Sequence, residues 1–193
     1  MERISPKGEI LSIYRKRHLV PYGEFTPGAW CPVIRFLVKR QAGYLPDLRR
    51  GSNPGVFFFK KIPLAIFICY EDIFSEEVAA VIAKGRFVLV TLTNDSWLGT
   101  LGSAQHFAFA SLRAAEAGSY LIRAANTGIT AYLDKRGRIV KRLPPACRGI
   151  LLGNVNLVSE KTFYQRFPLL TPSFSIVFLI TISLFHRKMH NEE

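Results

Sequence analysis

An α/β sandwich built on mixed sheets is the fold class this sequence predicts. Through the middle of its 193 residues, apolar runs alternate with helical stretches. Turn chemistry flanks that middle at Ser5-Pro6-Lys7-Gly8 and at Lys135-Arg136-Gly137-Arg138, which marks hairpins on either side. The runs 56–59 and 62–68 are apolar without alternation, as strands buried on both faces are.

The elements follow in order. Residues 9–14 read as a strand, and 18–54, with Pro, Gly and aromatic residues throughout, as mostly loop. Strands are predicted at 56–59 and 62–68. Ser75-Glu76-Glu77 supplies an N-cap and an acidic first turn for a helix over 75–85. A buried strand follows at 86–93. Phe107, Ala110, Ala114 and Ala117 recur at helical spacing in 103–117, and Gly118 ends that helix. Strands are then expected at 120–125, 129–134, 139–143 and 150–155. No internal repeat or low-complexity tract is present.

Hydrophobic residues make up 49% of the chain and mean hydropathy is +0.16, which directs attention to a membrane segment. Residues 167–185 carry no charge and are dominated by Leu, Ile, Phe and Val, and His186-Arg187-Lys188 closes the run like a stop-transfer flank. A transmembrane helix over 166–186 is therefore expected. The predicted organisation is a catalytic domain over 1–165, that helix, and a short basic and polar tail over 187–193. The first eight residues have no apolar stretch of the kind a signal peptide needs. Such a chain reads as the tail of something longer.

The net charge of +12 is large, but Lys and Arg are dispersed and no nucleic-acid motif is present, so a nucleic-acid partner is not expected. A basic domain near a bilayer is attracted to anionic headgroups. The three cysteines, Cys31, Cys69 and Cys147, form no CxxC or Cys/His spacing, so no metal site and no cofactor are expected. Cys31 and Cys147 read either as a pair in an oxidising compartment or as ordinary thiols.

Cys69 is the candidate nucleophile. It ends a predicted buried strand and begins the turn into a helix, where a thiol is held rigidly and aimed into a cleft. The alternative is a small buried hydrophobe. His18 and His106 lie in no Cys-His protease signature. Lys16 could stabilise a developing oxyanion, or could be a solvated surface residue. Glu24 and Glu71 could orient Lys16 or take the thiol proton, or could be surface charges. Asn94-Asp95-Ser96-Trp97-Leu98-Gly99 follows a buried strand, where α/β sites form, and Tyr70, Asn94 and Trp97 are candidate substrate-binding residues.

Together Tyr14-Arg15-Lys16-Arg17-His18-Leu19-Val20-Pro21-Tyr22-Gly23-Glu24, Cys69-Tyr70-Glu71 and the Asn94–Gly99 loop resemble the nitrilase (carbon–nitrogen hydrolase) superfamily, and within it the apolipoprotein N-acyltransferase family of the bacterial inner membrane. Gln105-His106-Phe107, the Arg113 to Glu116 segment and the Arg123 to Thr130 segment are similar to that family too. The resemblance implies an α-β-β-α sandwich, incomplete at its N-terminus and followed by the membrane helix, with the domain on the periplasmic side. It implies a membrane phospholipid as acyl donor, a diacylglyceryl apolipoprotein as acceptor, and Cys69 as the residue that carries the acyl chain. It makes Lys16 the oxyanion residue, with Glu24 and Glu71 as supporting carboxylates. Phe25, Trp30, Phe36 and Leu37 are then expected to face lipid or cover the cleft. The family's triad is Glu-Lys-Cys, with its glutamate upstream of the lysine segment. Only Glu2 and Glu9 precede Lys16, and neither has the family's Pro-Glu context, so the chain is expected to need a missing N-terminal half. The alternatives are a nitrilase-family amidase with a hydrophobic tail, and an inactive fragment.

Overall fold

The structure is a computed structural model and describes residues 1–157 and 161–190. Its centre is a six-stranded mixed sheet of β3 (Val56–Phe59), β4 (Ile62–Ile68), β5 (Val88–Thr93), β6 (Leu121–Ala125), β7 (Ala131–Leu133) and β8 (Ile139–Arg142), lying side by side in that order. β4, β5 and β6 are parallel, and antiparallel strands close both sides. The parallel pairs need crossovers. A 3₁₀ turn, Cys69–Ile73, and α2 (Ser75–Ile82) make the first, and α3 (Gly99–Ala117) makes the second.

The central strands are buried on the face that meets the helices and only partly covered on the other. Val90 and Leu92 of β5 are half-buried and Ile122 of β6 is exposed, although their apolar sequences predict burial on both faces. Ala65 and Phe67 of β4 join Val78 and Val81 of α2, Leu89 of β5, and Phe107, Ala110, Ala114 and Ala117 of α3 in the main core. Ile66 points the other way and packs with Tyr14 and Phe57. The alanines on the inner face of α3 bring the helix close to the sheet. Gly118, left-handed at φ 56°, caps it and returns the chain to β6.

Several expectations are corrected. The loop 18–54 contains a helix, α1 (Pro32–Ala42), with Pro32 at its start, Lys39 and Arg40 in its last turn and Gly43 left-handed beyond it. None of its residues is buried, so no core periodicity announced it. Helix α3 begins at Gly99 rather than at 103, through an exposed start of Gly99, Thr100 and Leu101 that the poor helix propensity of Gly99 and Gly102 hid. The strand expected over 150–155 does not form. Ile150 and Leu152 are exposed there, and the segment is tied down by Lys141 Nζ donating to the Leu152 carbonyl at 2.7 Å and by the Tyr132 hydroxyl donating to that of Asn154.

The sandwich was expected to be incomplete at its N-terminus, and part of it is seen. Among the described residues, one helix layer covers one face of the large sheet, and the second sheet is a two-stranded hairpin of β1 (Glu2–Ile4) and β2 (Ile10–Ile13).

The expected membrane span over 166–186 is not found: among the described residues no helix is long and apolar enough to cross a membrane. Arg166 belongs to a separate short helix, α4 (Phe163–Arg166). The next, α5 (Leu170–His190), begins only after Pro168, and Ser173, Ser175, Thr181 and Ser183 interrupt its apolar character. The last residues of the predicted tail, 191–193, lie outside the described residues.

Candidate active site

The C-terminal ends of the three parallel strands converge on one edge of the sheet, where open α/β folds place their ligands. Cys69 follows β4, Asn94 and Asp95 follow β5, and Asn126 follows β6. Cys69 departs from ordinary backbone. It is one of four non-glycine residues among those described with positive φ, at 52°, and it sits where the strand turns into the 3₁₀ segment. A left-handed conformation at a strand-to-helix turn is strained for a side chain with a Cβ and pushes that side chain out of the sheet. The thiol is free and half-buried.

Cys69 lies between two cavities. One, of about 220 Å³, is apolar and is lined with it by Tyr70, Ile73, Trp97, Leu98 and Phe109. The other, of about 460 Å³, brings it together with Glu24, Asn94, Tyr44 and Trp97. Trp97 stands between them, 58% exposed, with its indole N–H donating to the Asn94 carbonyl at 2.9 Å. Tyr70 meets Phe74 edge-on.

Lys16 is 9% exposed, against the bland expectation for a lysine. Its Nζ donates to both oxygens of Glu24, at 2.8 and 2.7 Å, and Glu24 also accepts from the Val20 N–H at 2.8 Å. The ammonium is thus paired with a carboxylate that lines the cleft. Glu71 plays a different part. At 2% exposed it accepts from the Arg17 N–H at 2.6 Å, the Ile68 N–H at 2.8 Å, the His18 N–H at 3.3 Å and the Tyr14 hydroxyl at 2.8 Å. One carboxylate thus fastens the Lys16 segment to the end of β4. Burial and the Glu71 charge push the Tyr14 phenol well above its ordinary range, so it remains a donor. Both carboxylates accept from these other donors, and Glu24 shares its cavity with Cys69.

His18 stacks on Phe74 and faces Glu77, which also pairs with Arg17. Trp30, Phe36 and Leu37 are exposed, and none of them lines the two cavities at Cys69. Phe25 instead lines a separate cavity under the Arg50 guanidinium. Cys31 and Cys147 are free.

Sequence reasoning gave no role to a buried charged cluster beneath the turn. His106 on α3 places Nε2 2.9 Å from Asp72 Oδ1 and Nδ1 2.9 Å from Asp95 Oδ1. Arg123 of β6, fully buried, donates to the other oxygens of both carboxylates, at 3.1 and 2.8 Å. Thr93 and Ser103 also donate to Asp95. A Cβ on Gly128 would collide with the Asp95 carboxylate, which is why that position needs glycine. The available signal was a charged residue inside an apolar strand, Arg123, and a histidine on the core face of a helix, His106. Among the described residues no group of histidines, cysteines and carboxylates is set to hold a metal ion.

Burial alone would lower the His106 pKa. The hydrogen bonds to Asp72 and Asp95 and the Asp72 charge outweigh it, and the imidazole is pushed up to about 9. Burial alone would raise Asp95, but the bonds from His106 and Thr93 and the Arg123 charge hold it well below the usual carboxylate range. A histidine raised from 6.5 to about 9 contributes stability that is fully present below 6.5 and lost as pH rises through 9. The depressed Asp95 contributes stability present above about pH 4 and lost as pH falls. The thermal unfolding midpoint is therefore expected to fall on both sides of a plateau between roughly pH 4.5 and 6.5. His106→Gln should remove the alkaline fall, as pH-dependent calorimetry would read.

Residues 3–164 match the carbon–nitrogen hydrolase family. The chain belongs to that family. It is 37% identical over 166 residues to an apolipoprotein N-acyltransferase of Pseudomonas paraeruginosa, covering 85% of this chain and 32% of that protein. It is 36% identical over 165 residues to the apolipoprotein N-acyltransferase of Geobacter metallireducens, with 85% and 31% covered. The chain thus spans about a third of the length of these curated relatives. Among solved structures it resembles Saccharomyces cerevisiae Nit3, a member of the nitrilase superfamily, at a TM-score of 0.51 and 18% identity, covering 75% of this chain and 54% of that one. That likeness shows the fold. As a carbon–nitrogen hydrolase, this chain has a nitrilase-like mixed sheet with its helices, and its matched region reaches into α4.

Proposed function

We propose that this chain carries the nucleophile of an N-acyltransferase. Its donor would be a membrane phospholipid, and its acceptor the N-terminal amine of a diacylglyceryl-cysteine on an apolipoprotein. The observation that carries the reading is the placement of Cys69. A strained turn holds it between an apolar cavity and a second, larger cavity that Glu24 and Asn94 help to line, and Lys16 is paired to that glutamate. An apolar chamber beside a nucleophile suits an acyl chain. The relatives' names supply the substrate class.

In the proposed reaction the Cys69 thiolate attacks the ester carbonyl carbon. Lys16 and the unpaired N–H groups that open the 3₁₀ turn stabilise the oxyanion. The ester C–O bond breaks, the lysophospholipid leaves with a proton, and Cys69 holds the acyl chain as a thioester. The acceptor amine then attacks that carbonyl, the C–S bond breaks, and an amide and the free thiol result. Glu24 orients Lys16, Glu71 joins the two catalytic segments, and Tyr70, Asn94 and Trp97 line the substrate cavities. Since both carboxylates are engaged, the acceptor of the thiol proton is proposed to lie in the part of the longer relatives that this chain does not cover. The proposal carries with it a location at the bacterial inner membrane, on the periplasmic side.

The test supplies phospholipid vesicles and a diacylglyceryl lipopeptide to the chain co-expressed with the upstream portion of a relative. Acyl transfer to the lipopeptide amine is expected. Hydrolysis of small amides with no lipopeptide acylation would make this chain an amidase instead.

A further inference from the structure

We propose that His106 is a positioning residue for the nucleophile: held as an imidazolium between Asp72 and Asp95, it donates to the Cys69 carbonyl and fixes the left-handed turn that aims the thiol. The inference rests on Cys69 being the nucleophile, as proposed above.

The geometry argues for two ring protons. Each ring nitrogen lies 2.9 Å from a carboxylate oxygen. A neutral imidazole donates through only one nitrogen, and its other lone pair would face a buried carboxylate. With both nitrogens protonated, both contacts to the carboxylates are charge-assisted hydrogen bonds. The charges then balance. Asp72 comes from the 3₁₀ turn, Asp95 from the loop after β5 and Arg123 from β6. With the imidazolium they make two negative and two positive groups, all buried. Farther along α3, Arg113 is occupied with Glu116 and the Ile73 carbonyl. The remaining contact points at the nucleophile: Nε2 also lies 3.3 Å from the Cys69 carbonyl oxygen. That carbonyl belongs to the strained residue itself, so the bond opposes relaxation of its backbone. Asp72 is three residues beyond Cys69 and Asp95 begins the loop that carries Trp97. One imidazolium therefore ties together the turn and the loop that flank the cleft.

The opposing arrangement is a neutral ring protonated at Nε2, with Nδ1 accepting from Arg123 Nη2, which lies 3.2 Å away. Nuclear magnetic resonance separates the two. The full chain is labelled with ¹⁵N in its histidine rings and ¹³C in its cysteine carbonyls. Both His106 ring nitrogens are expected to be protonated at pH 7.5 and to lose one proton with a midpoint near 9. The Cys69 carbonyl resonance should shift with the same midpoint, while those of Cys31 and Cys147 stay still. In His106→Gln the Cys69 shift should be lost. If that variant does not fold, the paired titration in the wild-type chain decides alone. A single ring proton at pH 7.5, or a Cys69 carbonyl indifferent to the His106 titration, overturns the proposal. No readout needs acyl transfer, so failure of the proposed function would leave these results standing.

Discussion

Cys69→Ala is expected to bring acyl transfer down to the uncatalysed background, a loss on the order of 10⁶-fold, as when a nucleophile is removed from a catalytic group that acts as a unit. The reaction divides one difficult acyl transfer into two steps through a thioester. Without the sulfur neither step has a path. Cys31→Ala and Cys147→Ala should leave turnover unchanged, because neither residue lines the cavities that meet at Cys69. The measurement is phospholipid-dependent acylation of a lipopeptide amine, in the enzyme completed with its upstream portion. Alanine at position 69 creates no large cavity, so the variant should fold. Unchanged unfolding together with lost turnover separates chemistry from stability.

Lys16→Met is expected to lower kcat by about 10²–10³, the usual consequence of losing one oxyanion donor. Methionine keeps the length of the side chain and removes its charge. The effect should exceed that of a surface lysine because Lys16 is nearly buried and bonded to both oxygens of Glu24. The substitution also leaves Glu24 without its partner, so KM should rise modestly as the cleft rearranges. Wild-type kcat in Lys16→Met would make the lysine a structural partner of Glu24 and nothing more.

The sheet was legible because its central strands are apolar on both faces. Residues 56–59 and 62–68 become β3 and β4 with those bounds, and the expected strand 86–93 becomes β5 from Val88. Such runs read as strands with two apolar faces, of which α2 and α3 cover one and the other is only partly buried. Helix α3 was legible through Phe107, Ala110, Ala114 and Ala117, all buried. Helix α1 was not, because nothing packs on it and its periodicity serves no core. Its end signals, Pro32 and Gly43, were present but lay among other prolines and glycines. The run at 150–155 failed for the opposite reason. It is apolar, but glycines flank and interrupt it at Gly149 and Gly153, and the neighbouring strand β8 is itself exposed along its length.

The site was legible where chemistry stands next to secondary structure: a cysteine at the end of β4, and a polar loop with a tryptophan after β5. The pairing of Lys16 with Glu24 needed only their proximity in sequence to be suggested. The role of Glu71 was not readable, since its partners Tyr14, Arg17 and His18 are more than fifty residues away. The His106 cluster was hidden in the same way. Its four charged members come from four separate segments. Arg123 and His106 carry a sequence signal, but Asp72 and Asp95 look like surface charges until the fold buries them together.

The covalent state of Cys69 tests the account most directly. The completed enzyme is incubated with phospholipid vesicles in the absence of an acceptor amine, and peptides are mapped by mass spectrometry. The account predicts one fatty-acyl group on the peptide containing Cys69, removed by neutral hydroxylamine and by addition of the lipopeptide, and absent in Cys69→Ala. An acyl group that persists in Cys69→Ala, or one that the acceptor amine does not discharge, would contradict it.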